Sequence, residues 1–133
     1  MGVYMKYQDS SEMYIKTIYI LQKDHGHVHI TDISKALNVT KPSATKATEL
    51  LKSRRLLDKE GYGPVRLTDE GRLLAEKILN RHEIIARCLK ETLMLSPEEV
   101  EENACRMEHV VTDAMIDAMM RISEGSKEVD ENE

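Results

Sequence analysis

Thr31-Asp32-Ile33-Ser34-Lys35-Ala36-Leu37-Asn38-Val39-Thr40-Lys41-Pro42-Ser43-Ala44-Thr45-Lys46-Ala47-Thr48-Glu49-Leu50-Leu51 reads as two short helices joined by a tight turn. Thr31 is the expected cap of the first, with Ile33, Ala36 and Leu37 facing inward, and Asn38-Val39 makes the turn. Thr40 caps the second, and Pro42 sits in its first turn, where a missing N–H has no partner to lose. Small polar and basic residues open that second helix, which is the pattern of a helix-turn-helix. Lys41, Pro42, Ser43, Thr45 and Lys46 are therefore the expected DNA-facing positions, the lysines on phosphates and Ser43 and Thr45 on base edges.

On the C-terminal side, Leu56–Glu60, the turn Gly61-Tyr62-Gly63-Pro64 and Val65–Thr68 predict a short β-hairpin. A hairpin directly after a recognition helix is the wing of a winged helix, with Tyr62, Lys59 and Arg66 as phosphate or minor-groove contacts. On the N-terminal side, Ser10 or Ser11 caps a helix running to about Asp24 whose Met13, Ile15, Ile18, Tyr19 and Leu21 form apolar faces. Residues 1–9 read as loosely structured, and Gly26 ends the helix amid His25, His27 and His29, which read as surface residues.

Charge supports this placement. The 133-residue chain carries a net charge of −5, yet Thr40–Arg55 sets Lys41, Lys46, Lys52, Arg54 and Arg55 against Glu49 alone. A basic patch on an acidic protein is a localised electrostatic footprint. The acidity gathers in Pro97–Glu102 and Glu124–Glu133. Five Tyr, no Trp, no Phe and eight Met point to helix-on-helix packing. No apolar run reaches membrane-spanning length, and the start has no signal-peptide core. Two Cys in dissimilar surroundings make no disulfide framework, so the expected location is cytoplasmic, with no membrane partner.

Beyond the wing, Thr68-Asp69-Glu70-Gly71 opens a long helix to about Glu91, with Leu73, Leu74, Ile78, Leu79, Ile85 and Leu89 at helical spacing. Ser96-Pro97-Glu98-Glu99 starts another, and Thr112-Asp113 a last one with Met115, Ile116, Met119, Met120 and Ile122 as core or dimer face. Within the middle helix, Cys105, Glu108 and His109 stand three and four residues apart and converge on one face. Thiolate, carboxylate and imidazole together suit Fe(II), Mn(II), Zn(II), Co(II) or Ni(II), and one turn leaves room for a ligand from elsewhere. Taken alone, the trio also reads as a buried Cys beside a solvated Glu and His.

With these elements in one order, the chain resembles the diphtheria-toxin-repressor (DtxR) family of metal-dependent repressors. The matching residues are Ser11-Glu12-Met13-Tyr14 with Thr17-Ile18-Tyr19, Arg81-His82, and Ala104-Cys105-Arg106-Met107-Glu108-His109-Val110, within a similarity spanning about residues 8–122. The resemblance implies a primary metal site at Met13, Cys105, Glu108 and His109. It also implies an ancillary site for which His82, Glu83 and Glu101 are the candidates. Glu101 stands where iron-type members have His, and Ala86 where they place a second acid. Sulfur at Met13 and Cys105 favours Fe(II), with Mn(II) second and Zn(II), Co(II) and Ni(II) able to bind in vitro. Lys16 stands where manganese-type members have an acid. The chain reads as a short form without the SH3-like domain of longer members.

The expected architecture is mainly α: a winged helix-turn-helix DNA-binding domain over 1–70, then an α-helical metal-binding and dimerisation domain over 71–123. A disordered acidic tail is expected over 124–133. The expected function is a metal-dependent repressor of metal-homeostasis genes, a homodimer on double-stranded operator DNA with no small-molecule substrate and no catalysis. Three other readings stay open at this point: a winged-helix regulator responding to an organic ligand, a manganese- or zinc-specific regulator of the same family, and a small metalloenzyme using Cys/His/Glu.

Overall fold

In a computed structural model of the protein, the backbone is described for residues 2–61 and 63–131 and the side chains for 11–61 and 63–123. Among these the order is α1 (Gly2–His25), α2 (Ile30–Leu37), α3 (Lys41–Ser53), β1 (Leu57–Lys59), β2 (Val65–Leu67), α4 (Asp69–Leu93), α5 (Pro97–Met107) and α6 (Asp113–Glu131). The chain forms two compact units, Met1–Lys77 and Ile78–Glu133. The expected boundary between residues 70 and 71 and the division after Lys77 both fall inside α4. The expected tail, 124–133, lies outside the described side chains.

In the first unit, α1 begins at Gly2, ahead of the expected Ser10 or Ser11 cap. Helix α2 begins at Ile30 with His29 as its N-cap, so Thr31 is a helical residue and not the cap. The reason is Asp32, whose carboxylate reaches back to accept the His29 backbone N–H at 2.9 Å and fixes the first turn one step earlier. Asn38 then takes the left-handed conformation (φ 53°) that terminates α2. Thr40 caps α3 as expected, its hydroxyl accepting from the Ser43 N–H at 3.2 Å.

Strands β1 and β2 pair antiparallel in the register Leu57↔Leu67, Asp58↔Arg66 and Lys59↔Val65. Val28 adds a bridge on the outer side of β2, where Val65 N–H donates to its carbonyl at 2.7 Å. Tyr14, Ile15, Ile18, Val28, Ile33, Ala44, Leu51, Leu57, Val65 and Ala75 are buried in this unit. Two expected core positions are not in it: Ala36 is exposed and Leu73 is 61% exposed. Gly71 locks the entry to α4. A Cβ there would stand 2.1 Å from the Leu56 carbonyl oxygen, so only glycine lets the helix start that close to the end of the preceding turn. Thr68 caps this helix, accepting from Gly71 N–H at 3.1 Å.

In the second unit, α5 opens on a capping box: Ser96 Oγ accepts from Glu99 N–H and Glu99 Oε1 accepts from Ser96 N–H, each at 3.2 Å. Its core is Ile85, Cys88, Leu89, Val100, Ala104, Ile116 and Met119, with Ala86 packed at the edge. The apolar residues of α6 divide. Ile116 and Met119 enter this core, while Met115, Met120 and Ile122 are exposed.

Candidate nucleic-acid interface and metal centre

The first unit buries Lys16 and Thr48 but sets the polar residues that open α3 in solvent. Lys41, Pro42, Ser43, Thr45 and Lys46 are all exposed on the first turns of α3, while Ala44, Thr48 and Leu51 turn inward to seat the helix. Ser43 shares its hydroxyl with the cap, accepting from Thr40 Oγ1 at 2.9 Å. Arg66 is exposed on β2, opposite Asp58. A cleft of about 740 Å³ opens between the end of α3 and the hairpin, lined by Lys52, Lys59 and Arg66 among others. Lys52 bridges the two, its Nζ donating to the Lys59 carbonyl at 2.8 Å. The Lys59 side chain is 9% exposed and sits 3.8 Å from Glu49. Tyr62 lies outside the described residues.

The second unit reverses the arrangement. Helix α5 ends at Met107, so Glu108 is its C-cap and His109 follows in the turn. Glu108 keeps right-handed helical angles (φ −57°, ψ −24°), which preserves the three-residue spacing from Cys105 even though the helix is ending. The side chains form a continuous polar chain. Cys105 Sγ donates to Glu101 Oε1 at 3.5 Å, and Glu101 Oε2 lies 3.1 Å from His82 Nε2. His82 Nδ1 lies 2.6 Å from Glu108 Oε2, and Glu108 Oε1 is 3.2 Å from His109 Nε2. Glu108 is fully buried and His109 is 7% exposed, so this part of the network is withdrawn from water. A carboxylate so placed needs a polar partner close by, and the His82 ring stands within hydrogen-bond distance of it.

Within the second unit the candidate ligands fall into two groups. Cys105 stands with His82 and Glu101, ligand atoms all within 4.8 Å of one another, and Glu108 with His82 and His109. Glu83 is exposed and none of these contacts reaches it. Met13 is half-buried on α1 in the first unit. Sequence reasoning gave Arg81 no role. Its guanidinium donates to the Glu108 backbone carbonyl at 3.4 Å and lies 3.9 Å from Asp113, tying the end of α5 to α4 and the start of α6. Arg81 precedes His82, so a cation beside a ligand candidate was the available signal, but its partners lie far along the chain.

The comparisons with known proteins fall on the same two halves. The model of the iron dependent repressor N-terminal DNA binding domain matches residues 6–65, and that of the iron dependent repressor metal binding and dimerisation domain matches 68–128. The iron-dependent repressor IdeR of Mycobacterium tuberculosis is 31% identical over 105 residues, covering 79% of this chain and 46% of the relative. The regulator MntR of Geobacillus kaustophilus is 33% identical over 100 residues, covering 75% of this chain and 70% of that one. Among solved structures, IdeR from T. acidophilum superposes with a TM-score of 0.73 at 30% identity, over 83% of this chain and 52% of that one. A manganese-dependent transcriptional repressor in complex with manganese gives 0.78 at 25% identity, over 86% and 52%. The chain spans about half the length of the IdeR relatives it matches. A basic helix-turn-helix with a wing, a buried imidazole–carboxylate network and two domain matches in the same order agree on one assignment: this chain belongs to the iron-dependent repressor (DtxR) family.

Proposed function

We propose that this protein is a metal-dependent DNA-binding transcriptional repressor of metal-homeostasis genes, a regulator rather than an enzyme, acting in the cytoplasm as a homodimer on pseudo-palindromic operator DNA. The observation that carries this reading is the fully buried Glu108 carboxylate held between His82 and His109, in the same chain as an exposed basic recognition helix. Cys105, Glu108 and His109 are the proposed ligands in the second unit, with Met13 added on the strength of the resemblance. When bound, the ion supplies a cationic centre for these donors. It favours the DNA-competent state only as far as it binds that state more tightly.

The sulfur donors support Fe(II) as corepressor, with Mn(II) second. Lys41, Lys46 and Arg66 supply salt-dependent phosphate affinity, and Ser43 and Thr45 reach base edges. The exposed Met115, Met120 and Ile122 supply an apolar face for the two-fold contact. No helix among the described residues is long and apolar enough to cross a membrane.

The test is anoxic binding to promoter DNA by fluorescence anisotropy, titrating Fe(II), Mn(II) and Zn(II) separately against a chelated control. Binding that needs metal and weakens in His109→Ala is expected. Tight, specific binding unchanged by chelator overturns the proposal and leaves a winged-helix regulator answering to something else.

A further inference from the structure

The first unit carries three histidines within five residues, His25, His27 and His29, all exposed. The backbone between them is fixed. Val28 is fully buried, bridges Val65 antiparallel and accepts its N–H at 2.7 Å. In extended chain the residues on either side of an inward-pointing one point outward together, so His27 and His29 share the solvent face. His29 is itself extended (φ −107°, ψ 162°), and its backbone N–H is held by the Asp32 carboxylate. His25 is the last residue of α1. Gly26, in the left-handed region at φ 79°, turns the chain from helix into the extended segment in one step. Among the described residues no hydrogen bond or ion pair engages the His25 or His27 ring.

That arrangement suits chelation. Residues two apart on an extended segment stand about 6.6 Å apart along the backbone. Nitrogen ligands on a tetrahedral ion, each about 2.0–2.1 Å from it, stand about 3.4 Å apart. Rotation of two exposed rings about χ1 and χ2 covers the difference and asks for no backbone change. His25 lies two residues before His27, a reach of at most about 7 Å, so a third imidazole is at hand. A set made of imidazole alone selects Zn(II), Ni(II) or Cu(II) over the oxygen-preferring Mg(II), Ca(II) and Mn(II). The neighbouring charges do not bar a cation. The Val28–Val65 register puts Arg66 beside His27, but Asp58 stands opposite Arg66 and both are exposed, where solvent screens them.

We infer that His27 and His29, with His25 as third donor, form a surface site for one borderline divalent ion of the Zn(II), Ni(II) or Cu(II) type on the first unit. The site shares no residue with the ligands proposed in the second unit and needs nothing from them. Val28 is the anchor that makes two neighbouring imidazoles a chelate, because its burial fixes which way both point. Three imidazoles leave further coordination positions to water. The ion would sit on the same strand face as Arg66, adding positive charge beside the wing.

The experiment uses the full chain, reduced, with histidine alone labelled with 15N, and titrates Zn(II) while the ring nitrogens are followed by NMR. The chain has five histidines, so the rings are few enough to read one by one, each assigned by the signal lost in its own alanine variant. In wild type the His27 and His29 rings are expected to shift together at one zinc concentration. His27→Ala should raise the zinc needed to half-shift the His29 ring at least tenfold, because a chelate loses its second donor, and His29→Ala should do the same to His27. His25→Ala should raise it for both rings by about threefold or more. Circular dichroism checks folding, which these exposed positions are expected to keep. A His29 ring that titrates unchanged in His27→Ala shows independent surface imidazoles and overturns the inference, as do His27 and His29 rings that stay unshifted up to millimolar zinc. The His82 and His109 rings report on the second unit in the same spectra. Their silence while His27 and His29 respond counts against the regulatory reading and leaves this site standing, and the reverse pattern sinks this site alone.

Discussion

The lysines of α3 in the first unit and the Glu108 carboxylate in the second differ most in their access to water. In the first, Ile15, Ile18 and Ile33 are fully enclosed and the lysines of α3 stand outside in water. In the second, a carboxylate is as enclosed as any isoleucine: Glu108 is 0% exposed. The difference determines how each unit responds to change. Exposed cations act through a screened field, so their contributions are separable and contribute little to folding. Enclosed ionic groups have given up their hydration, so each depends on its partner being present. Function and stability should be separable in the first unit and inseparable in the second.

The largest effect tests the second half of that statement. Glu108→Ala in chelated protein removes the half-buried His82's partner at 2.6 Å and the carboxylate that lies 3.2 Å from the buried His109, and breaking a buried pair typically costs about 3–5 kcal/mol. Urea denaturation monitored by circular dichroism reads it. A loss under about 1 kcal/mol would show that the network is no more coupled to folding than a surface pair. Next in size is Gly71→Ala, which drives a methyl against the Leu56 carbonyl and clashes with backbone that cannot rotate away. Overpacking of this kind costs about 1–3 kcal/mol. It probes the first unit's sensitivity to shape, so a larger loss there than from Glu108→Ala would invert the contrast.

That contrast was only half visible in the sequence. The helix-turn-helix and wing were legible because their signals are local: Thr40 and Pro42 opening α3, apolar spacing, and a Gly-rich turn between short apolar runs. Even so, the start of α2 was misplaced, since His29 does not look like a cap until Asp32 is seen reaching back to it. The side-chain types of the candidate centre were legible from Cys105, Glu108 and His109 at helical spacing. The His82–Glu108 contact was not, because the two are separated by 26 residues and nothing local says which imidazole a carboxylate will meet. The apolar residues of α6 read in sequence as core or dimer face alike. Burial divides them, with Ile116 and Met119 inside and Met115, Met120 and Ile122 outside, because neighbouring residues on a helix point some 100° apart.

The third prediction concerns the first unit's surface. Lys41→Ala and Lys46→Ala should each leave stability within about 0.5 kcal/mol of wild type, as surface substitutions do. On metal-loaded protein, each should lower the salt dependence of operator binding by about 0.9 in the slope of log K against log salt. Anisotropy at several salt concentrations reads the slope directly. An unchanged slope would mean that the residue does not neutralise a phosphate. A large loss of stability would mean that the first unit, too, builds its binding surface into its fold.

The smallest effect asks whether burial or membership of a unit sets the response. Glu99 belongs to the second unit but is fully exposed, at the start of α5 in reciprocal hydrogen bonds with Ser96. Those bonds, side-chain first and then backbone, hold its carboxyl below the ordinary value of 4.5. A carboxyl lowered on folding stabilises the folded state at pH above its unfolded value, and that contribution disappears as pH falls through the folded one. Wild type should therefore melt slightly above Glu99→Gln at neutral pH, and the two melting temperatures should converge on acidification below about pH 4. Added salt should shrink the neutral-pH gap, as it would for a lysine on α3. A gap that persists at acid pH would show that the amide is simply a poorer fit and that the ionised cap contributes nothing. A gap that closes with acid and with salt would place this residue of the second unit among the screened, separable charges, leaving enclosure as the property that binds Glu108 to the fold.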